Sequence, residues 1–302
     1  GSGCLCCTIR GDLIDTLEDL LRRRDNGRIE PFERLVIETT GLADPAPILN
    51  VIVAHPYLSL RYTLDGVVTL VDAVNGDATL DAHREALRQV VVADRLVLTK
   101  TDIASPEAVA ALRERLARLN PGATIFDAAR GEAEAAALIG LGRFDASGKP
   151  EDVRAWLAAE AAERPAAPRH AHGPDCTHET PAPLAAATDA ATPHAHDVNR
   201  HDERIRAFVL TAEEPVRLAS FELFWSLLGA SHGPKLLRLK GLIDLAERPG
   251  TPLLVHAVQS VLHPPALLPE WPDADHRSRL VLIVDDLDPG AVEGLWRAFR
   301  GQ

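Results

Sequence analysis

The sequence predicts an α/β chain in which a parallel sheet with helices on both faces is followed by a smaller α+β domain. Three observations carry this expectation. Through the first half, short and almost wholly apolar runs of strand length alternate with helical segments, as strands buried on both faces require. From about 163 to 203 this patterning gives way to Pro, Ala, Thr and His with no hydrophobic period, which reads as a flexible linker. Patterning returns at Arg204 and runs for about a hundred residues, the size of one further domain. The expected units are therefore 1–162, a His-rich linker 163–203, and 204–302.

Residues 11–24 put Leu13, Leu17, Leu20 and Leu21 on one face, carry acids early and arginines late, and stop at Asp25-Asn26-Gly27, so they predict an amphipathic helix. The run Leu35-Val36-Ile37 predicts a strand ending at Glu38, and a helix over 46–54 follows. Gly66 to Val74 reads as a strand, 82–93 as a helix, and Arg95 to Thr99 as a second strand. The helix at 106–119 is the clearest, with Ser105 as its cap, Pro106 at its first turn, and Val109, Leu112, Leu116 and Leu119 at helical spacing before Asn120-Pro121-Gly122 stops it. Ala123 to Phe126 closes the first sheet. Beyond the linker, strands are expected near 204–210, 236–244, 252–260 and 279–285, with helices near 216–229 and 289–299. Trp156, Trp225, Trp271 and Trp296 sit in apolar contexts and are expected in cores. Asp285, Asp286 and Asp288 read as a solvated cap before the last helix, and His55, His83, His232, His256, His263 and His276 as isolated structural or surface residues.

The chain has 302 residues, 46% of them hydrophobic, which is enough for two well-buried cores and excludes a disordered protein. Its net charge of −12 gives no basic footprint for nucleic acid. No run approaches the roughly 18 apolar residues of a spanning helix and no export signal opens the chain, so no membrane partner and a cytoplasmic setting are expected. Methionine is absent, and the chain is read as a fragment of a longer product.

Three of the 4 cysteines, Cys4, Cys6 and Cys7, crowd into four positions. That is too tight for a disulfide framework but suits thiolates meeting a soft metal such as zinc or cobalt, with an open coordination position for its release. Glu38-Thr39-Thr40-Gly41 follows an expected strand, so Glu38 and the Gly41 amide would lie at a carboxyl strand end, where a nucleotide phosphate and its Mg²⁺ are read. Thr99-Lys100-Thr101-Asp102 also ends a strand. A carboxylate there can accept the N1–H and exocyclic amine of guanine while the lysine stem packs along the base. Asp72, at another strand end, is read equally as a nucleotide contact or as the cap of the next turn. Six of the 12 histidines (His170, His172, His178, His194, His196 and His201) fall together with Cys176 between 170 and 201. Imidazoles at that density suit capture of Zn²⁺, Ni²⁺ or Co²⁺.

Taken in order, these motifs resemble the G3E family of P-loop GTPases, in particular its CobW-type metallochaperones. The family's Gly-Cys-x-Cys-Cys signature corresponds to Gly3-Cys4-Leu5-Cys6-Cys7, its Glu-x-x-Gly switch to Glu38–Gly41, and its guanine motif to Thr99–Asp102, with Thr where Asn is commoner. Arg10-Gly11-Asp12-Leu13, Gly41-Leu42-Ala43-Asp44-Pro45 and Val71-Asp72-Ala73 look alike as well. The resemblance implies a partial P-loop GTPase sheet with a CobW-type C-terminal domain. It implies GTP or GDP with Mg²⁺, and zinc or cobalt held by Cys4, Cys6 and Cys7 and delivered to a metal-requiring client protein or a cobalamin-type cofactor pathway. It leaves room for a homodimer. Glu38 and Gly41 would serve catalysis, and Thr99, Lys100 and Asp102 would serve nucleotide binding. One departure is plain: the Gly-x-x-Gly-x-Gly-Lys-Ser/Thr phosphate loop occurs nowhere in these residues, so this chain alone is expected to bind GTP weakly and not to hydrolyse it. The competing expectation is a passive zinc or cobalt buffer or sensor without turnover.

Overall fold

The computed structural model describes the backbone of residues 5–140, 204–259 and 261–300, and the side chains of all these except 5–10. Cys4, Trp156 and the expected linker with its six histidines and Cys176 lie outside the described residues.

The first half begins with helix α1 (Leu5–Asp25) and continues through α2 (Pro45–Ala54), α3 (Pro56–Arg61), β1 (Val68–Asp72), α4 (Gly76–Ala82), α5 (Arg84–Val92), β2 (Arg95–Thr99), α6 (Pro106–Leu119), β3 (Thr124–Asp127) and α7 (Ala135–Leu138). The three strands form a parallel sheet in the order β1-β2-β3, with Leu70 opposite Val97 and Val97 opposite Phe126. Its core joins Val71, Leu96 and Leu98 of the sheet to Leu80, Leu87, Leu112 and Leu116 of the helices. Ser105 caps α6 by accepting the Ala108 amide at 3.2 Å, as its sequence predicts.

Three expectations are corrected. No strand forms at Leu35–Ile37: the segment carries no strand assignment, is absent from both sheets, and leaves Val36 81% exposed. An apolar run becomes a strand only with a neighbour to pair with, and β1 meets β2 alone. The first helix begins at Leu5 rather than at residue 11, so Cys6 and Cys7 lie in its opening turns. The helix expected over 82–93 forms as α5 from Arg84, but a further helix, α4, which the sequence reading did not expect, precedes it and is set apart by the extended backbone of His83 (φ −130°, ψ 113°).

The second half contains β4 (Ile205–Ala212), α8 (Leu218–His232), β5 (Leu236–Ile243), β6 (Leu253–Val258), β7 (Val261–Leu262), β8 (Ala266–Leu267), β9 (Ser278–Asp285) and α9 (Pro289–Phe299). The strands make an antiparallel sheet in the order β4-β9-β5-β6-β7, with β8 on β6. Every residue of β9 is buried, since both faces of this sheet are covered. On one face α8 and α9 supply Phe221, Phe224, Trp225 and Trp296, with the Phe224 and Trp296 rings edge to face at 5.0 Å. The other face packs partly on Trp271 and Leu268 and partly on the first half, where Val91 meets Leu237 and Ile283, and Val92 meets Val258. Trp225, Trp271 and Trp296 are thus core residues, as expected. Asp285 is not a solvated cap: it is 5% exposed and pairs with Arg84 of α5 and with Arg204. No helix among the described residues is long and apolar enough to cross a membrane.

Candidate nucleotide and metal site

Three parallel strands deliver their carboxyl ends to one rim of the first sheet, and the residues there hold one another in place. Asp72, last in β1, accepts hydrogen bonds from the Val74 amide at 2.8 Å, the Asn75 amide at 3.3 Å and the Asn75 side chain at 3.2 Å, and receives the Lys100 ammonium at 2.7 Å. The Lys100 ammonium, assisted by these amides and opposed by partial burial, pulls the Asp72 carboxyl down to about 2. Asp72 is therefore both the cap of its turn and the partner of the motif lysine. Lys100 itself stands at φ 60°, in the left-handed region a lysine rarely adopts.

Thr99 closes β2, its hydroxyl donating to the Val71 carbonyl at 3.4 Å and its own carbonyl accepting the Ala73 amide at 2.9 Å. Thr101 turns the other way and donates to Asp127 at 2.6 Å, and Asp127, last in β3, also accepts the Ala129 amide at 3.1 Å. The Thr101 hydroxyl and these amides hold the Asp127 carboxyl below its ordinary value against the effect of burial. The loops after β1, β2 and β3 are thus laced together, with Asp102 exposed at their crest. Asn75, Thr101 and Asp127 were not singled out from the sequence; the signal was available only as a polar residue at the end of each strand.

Glu38 is exposed on the irregular segment before α2. Gly41 lies in a turn closed by the Ala43 amide donating to the Thr40 carbonyl at 3.1 Å. Asp44 ends the turn, caps α2 by accepting the Ala46 amide at 3.0 Å, and pairs with Arg88 of α5. Gln89 of α5 donates to the carbonyls of Gly41 at 3.1 Å and Ala43 at 2.8 Å. Among the described residues, no group of three or more His, Cys, Asp or Glu could hold a metal ion; Cys4 and the side chains of Cys6 and Cys7 fall outside that description.

Residues 1–127 match the CobW/HypB/UreG nucleotide-binding domain, and residues 205–300 match the cobalamin synthesis protein cobW C-terminal domain. The chain belongs to the CobW family. Among its relatives, the zinc chaperone YjiA of Escherichia coli is 44% identical over 143 residues, which cover 47% of this chain and 44% of YjiA. The zinc-regulated GTPase metalloprotein activator 1 of Schizosaccharomyces pombe is 37% identical over 131 residues, 43% of this chain and 31% of that protein. The chain therefore spans less than half the length of these CobW-family relatives. The crystal structure of Zn(II)-bound YjiA GTPase from E. coli superposes with a TM-score of 0.66 at 29% identity, covering 95% of this chain and 76% of that one. The α/β class and the antiparallel second sheet agree with that family fold.

Proposed function

We propose that this chain is the switch, guanine-reading and C-terminal part of a GTP-dependent metallochaperone that carries zinc, or cobalt, to a client protein or a cobalamin-type cofactor pathway. The observation that supports the reading is the laced rim of the sheet, where bonds from Lys100 to Asp72 and from Thr101 to Asp127 steady the loop after β2 that carries Asp102. Its membership in a family with zinc chaperones and a zinc-regulated GTPase activator supports metal as the cargo.

In this reading Asp102 accepts from the base, Lys100 covers it, and Thr99 braces the loop against β1. The Gly41 amide reads the γ-phosphate, and Glu38 helps hold Mg²⁺ or the attacking water. The magnesium ion would neutralise phosphate charge as the terminal phosphoryl group leaves. Cys4, Cys6 and Cys7 bind the cargo, and the histidines between 170 and 201, with Cys176, serve as auxiliary capture groups. Because α1 carries Cys6 and Cys7 in its opening turns, a shift of that helix start alters the geometry offered to the metal.

The phosphate loop is the missing part of the machinery in these residues, so GTP binding by this chain is weak and turnover absent. Saturable micromolar GTP binding by the chain itself would overturn that expectation. Zinc titration tests the cargo site: replacing Cys4, Cys6 and Cys7 together with Ala abolishes tight binding, and unchanged zinc affinity would sink the assignment. The clustered cysteines and histidines, which can bind metal without nucleotide, support one second reading, a passive zinc or cobalt buffer. A zinc affinity that differs severalfold between the GTP and GDP states of the protein carrying a phosphate loop separates the two, since a buffer shows no difference.

A further inference from the structure

We infer that helix α5 positions the Thr40–Asp44 turn and transmits its position to the C-terminal sheet, with Arg88 and Gln89 in mid-helix as positioning residues and Asp285 and Arg238 as anchors at its first and last turns. The significance of the turn rests on the proposed phosphate-sensing role of Gly41; the mechanical link does not.

Each contact on the turn side is made to a backbone carbonyl or to a helix cap. Gln89 holds the carbonyls of Gly41 and Ala43, and Arg88 holds Asp44, which in turn caps α2. The Gln89 carbonyl accepts the Thr69 hydroxyl at 2.9 Å, so β1 shares the same anchor. The turn cannot move without breaking these bonds or moving α5.

Two residues beyond Gln89, the helix enters the grip of the second half. Arg238 of β5 is 3% exposed and donates through Nη1 to the carbonyls of Val91 at 3.3 Å, Val92 at 2.7 Å and Ala93. Its Nη2 meets Asp94 at 2.5 Å, where Lys240 also donates at 2.6 Å. The other Asp94 oxygen accepts the Val67 amide at 2.9 Å, just ahead of β1. At its first residue, α5 pairs through Arg84 with Asp285 of β9. A guanidinium buried against three carbonyls and a carboxylate has no alternative partners, so this grip is stiff. A helix of nine residues, about 14 Å long, is therefore fastened at both ends to the C-terminal sheet and along its side to the turn. Any state of the turn that pulls on Gln89 is felt at Arg238, and by reciprocity anything that shifts β5 alters the turn.

Amide hydrogen exchange on this chain tests the link without nucleotide. Gln89→Ala raises exchange at residues 41–46 directly. Arg238→Lys keeps the charge but loses the fork, and it raises exchange at 41–46 by about fivefold although it touches none of those residues. Arg84→Ala, which removes a half-exposed side chain and leaves Asp285 its Arg204 partner, raises it in the same direction and guards against a misfolded Arg238 variant. Unchanged exchange at 41–46 in both Arg238→Lys and Arg84→Ala, with exchange raised at 92–95, overturns the inference and leaves the GTPase reading intact. The converse result, a response to Arg238→Lys in a protein whose 41–46 exchange is the same with GTP and GDP, upholds the link and removes the switch reading.

Discussion

Lys100 holds a backbone conformation that costs about 1 kcal/mol for a residue with a Cβ, and the Asp72 carboxylate is what receives its ammonium. Because the Asp72 carboxyl is drawn below its ordinary value, its contribution to stability is complete above about pH 3.8 and is lost as pH falls towards about 2. Lys100→Ala should raise the Asp72 pKa towards 3.8, as read by side-chain carboxyl NMR shifts; an Asp72 that still titrates near 2 would assign the depression to the loop amides instead. From the sequence, Asp72 could be read as cap or contact, and the structure makes it a cap that also holds the motif lysine. The Thr101–Asp127 bond was illegible for a different reason. Its partners, one in the loop after β2 and one ending β3, lie 26 residues apart, and no local spacing relates them.

At the scale of elements, the segments that folded as read are those with a local stop and a periodic face. Helix α6 matches residue for residue, its Ser105 cap and the Asn120 stop each satisfying backbone groups at an end. Asn120 does more than stop it. Fully buried, its side chain donates to the carbonyls of Val90, Val91 and Ala93 at 2.8 to 3.1 Å, closing the C-terminus of α5. Asn120→Ala takes a buried donor from those carbonyls and should cost about 1–3 kcal/mol in urea unfolding; a loss within 0.5 kcal/mol, about the noise of a surface change, would mean that their remaining donors, Arg238 among them, suffice. Leu35–Ile37 was misread because strand pairing is a property of neighbours, and composition cannot supply one. Helix α4 was missed because its seven residues are too few to show a helical period. In the second sheet, Gly241 sits where a Cβ would run into the Arg279 carbonyl and the Leu280 backbone of the adjacent strand. Gly241→Val should cost about 3 kcal/mol or more, and a variant as stable as the parent chain would show that β5 and β9 can spread apart.

Across the whole molecule, the surface where the halves meet is charged as well as apolar, which the two composition blocks did not foretell. Asp94 from the first half faces Arg238, Lys240, His256 and His263 from the second. Burial alone would raise its carboxyl, but the two cations hold it well below the ordinary range. His256 and His263 stack at 4.7 Å, and neither Nε2 atom has a hydrogen-bond partner among the described residues. Burial first, then the Lys240 and Arg238 charges, push the His256 pKa well below 6.5, with Asp94 pulling the other way; burial lowers His263 likewise. Since the folded chain then binds fewer protons than the unfolded one, stability falls as pH drops below about 6.5. His256→Phe should flatten the stability profile between pH 6.5 and 5, and a profile unchanged by that substitution would exclude His256 as the source.

The closure of α5 by Arg238 has a consequence for how the polypeptide reaches its native state. The last carbonyls of a helix made early by the ribosome are completed by a guanidinium made some 145 residues later. A nascent first half therefore emerges with Val91, Val92 and Asp94 waiting for β5, so the two halves mature together, and expressing them as separate polypeptides should return them as a co-purifying pair or not at all.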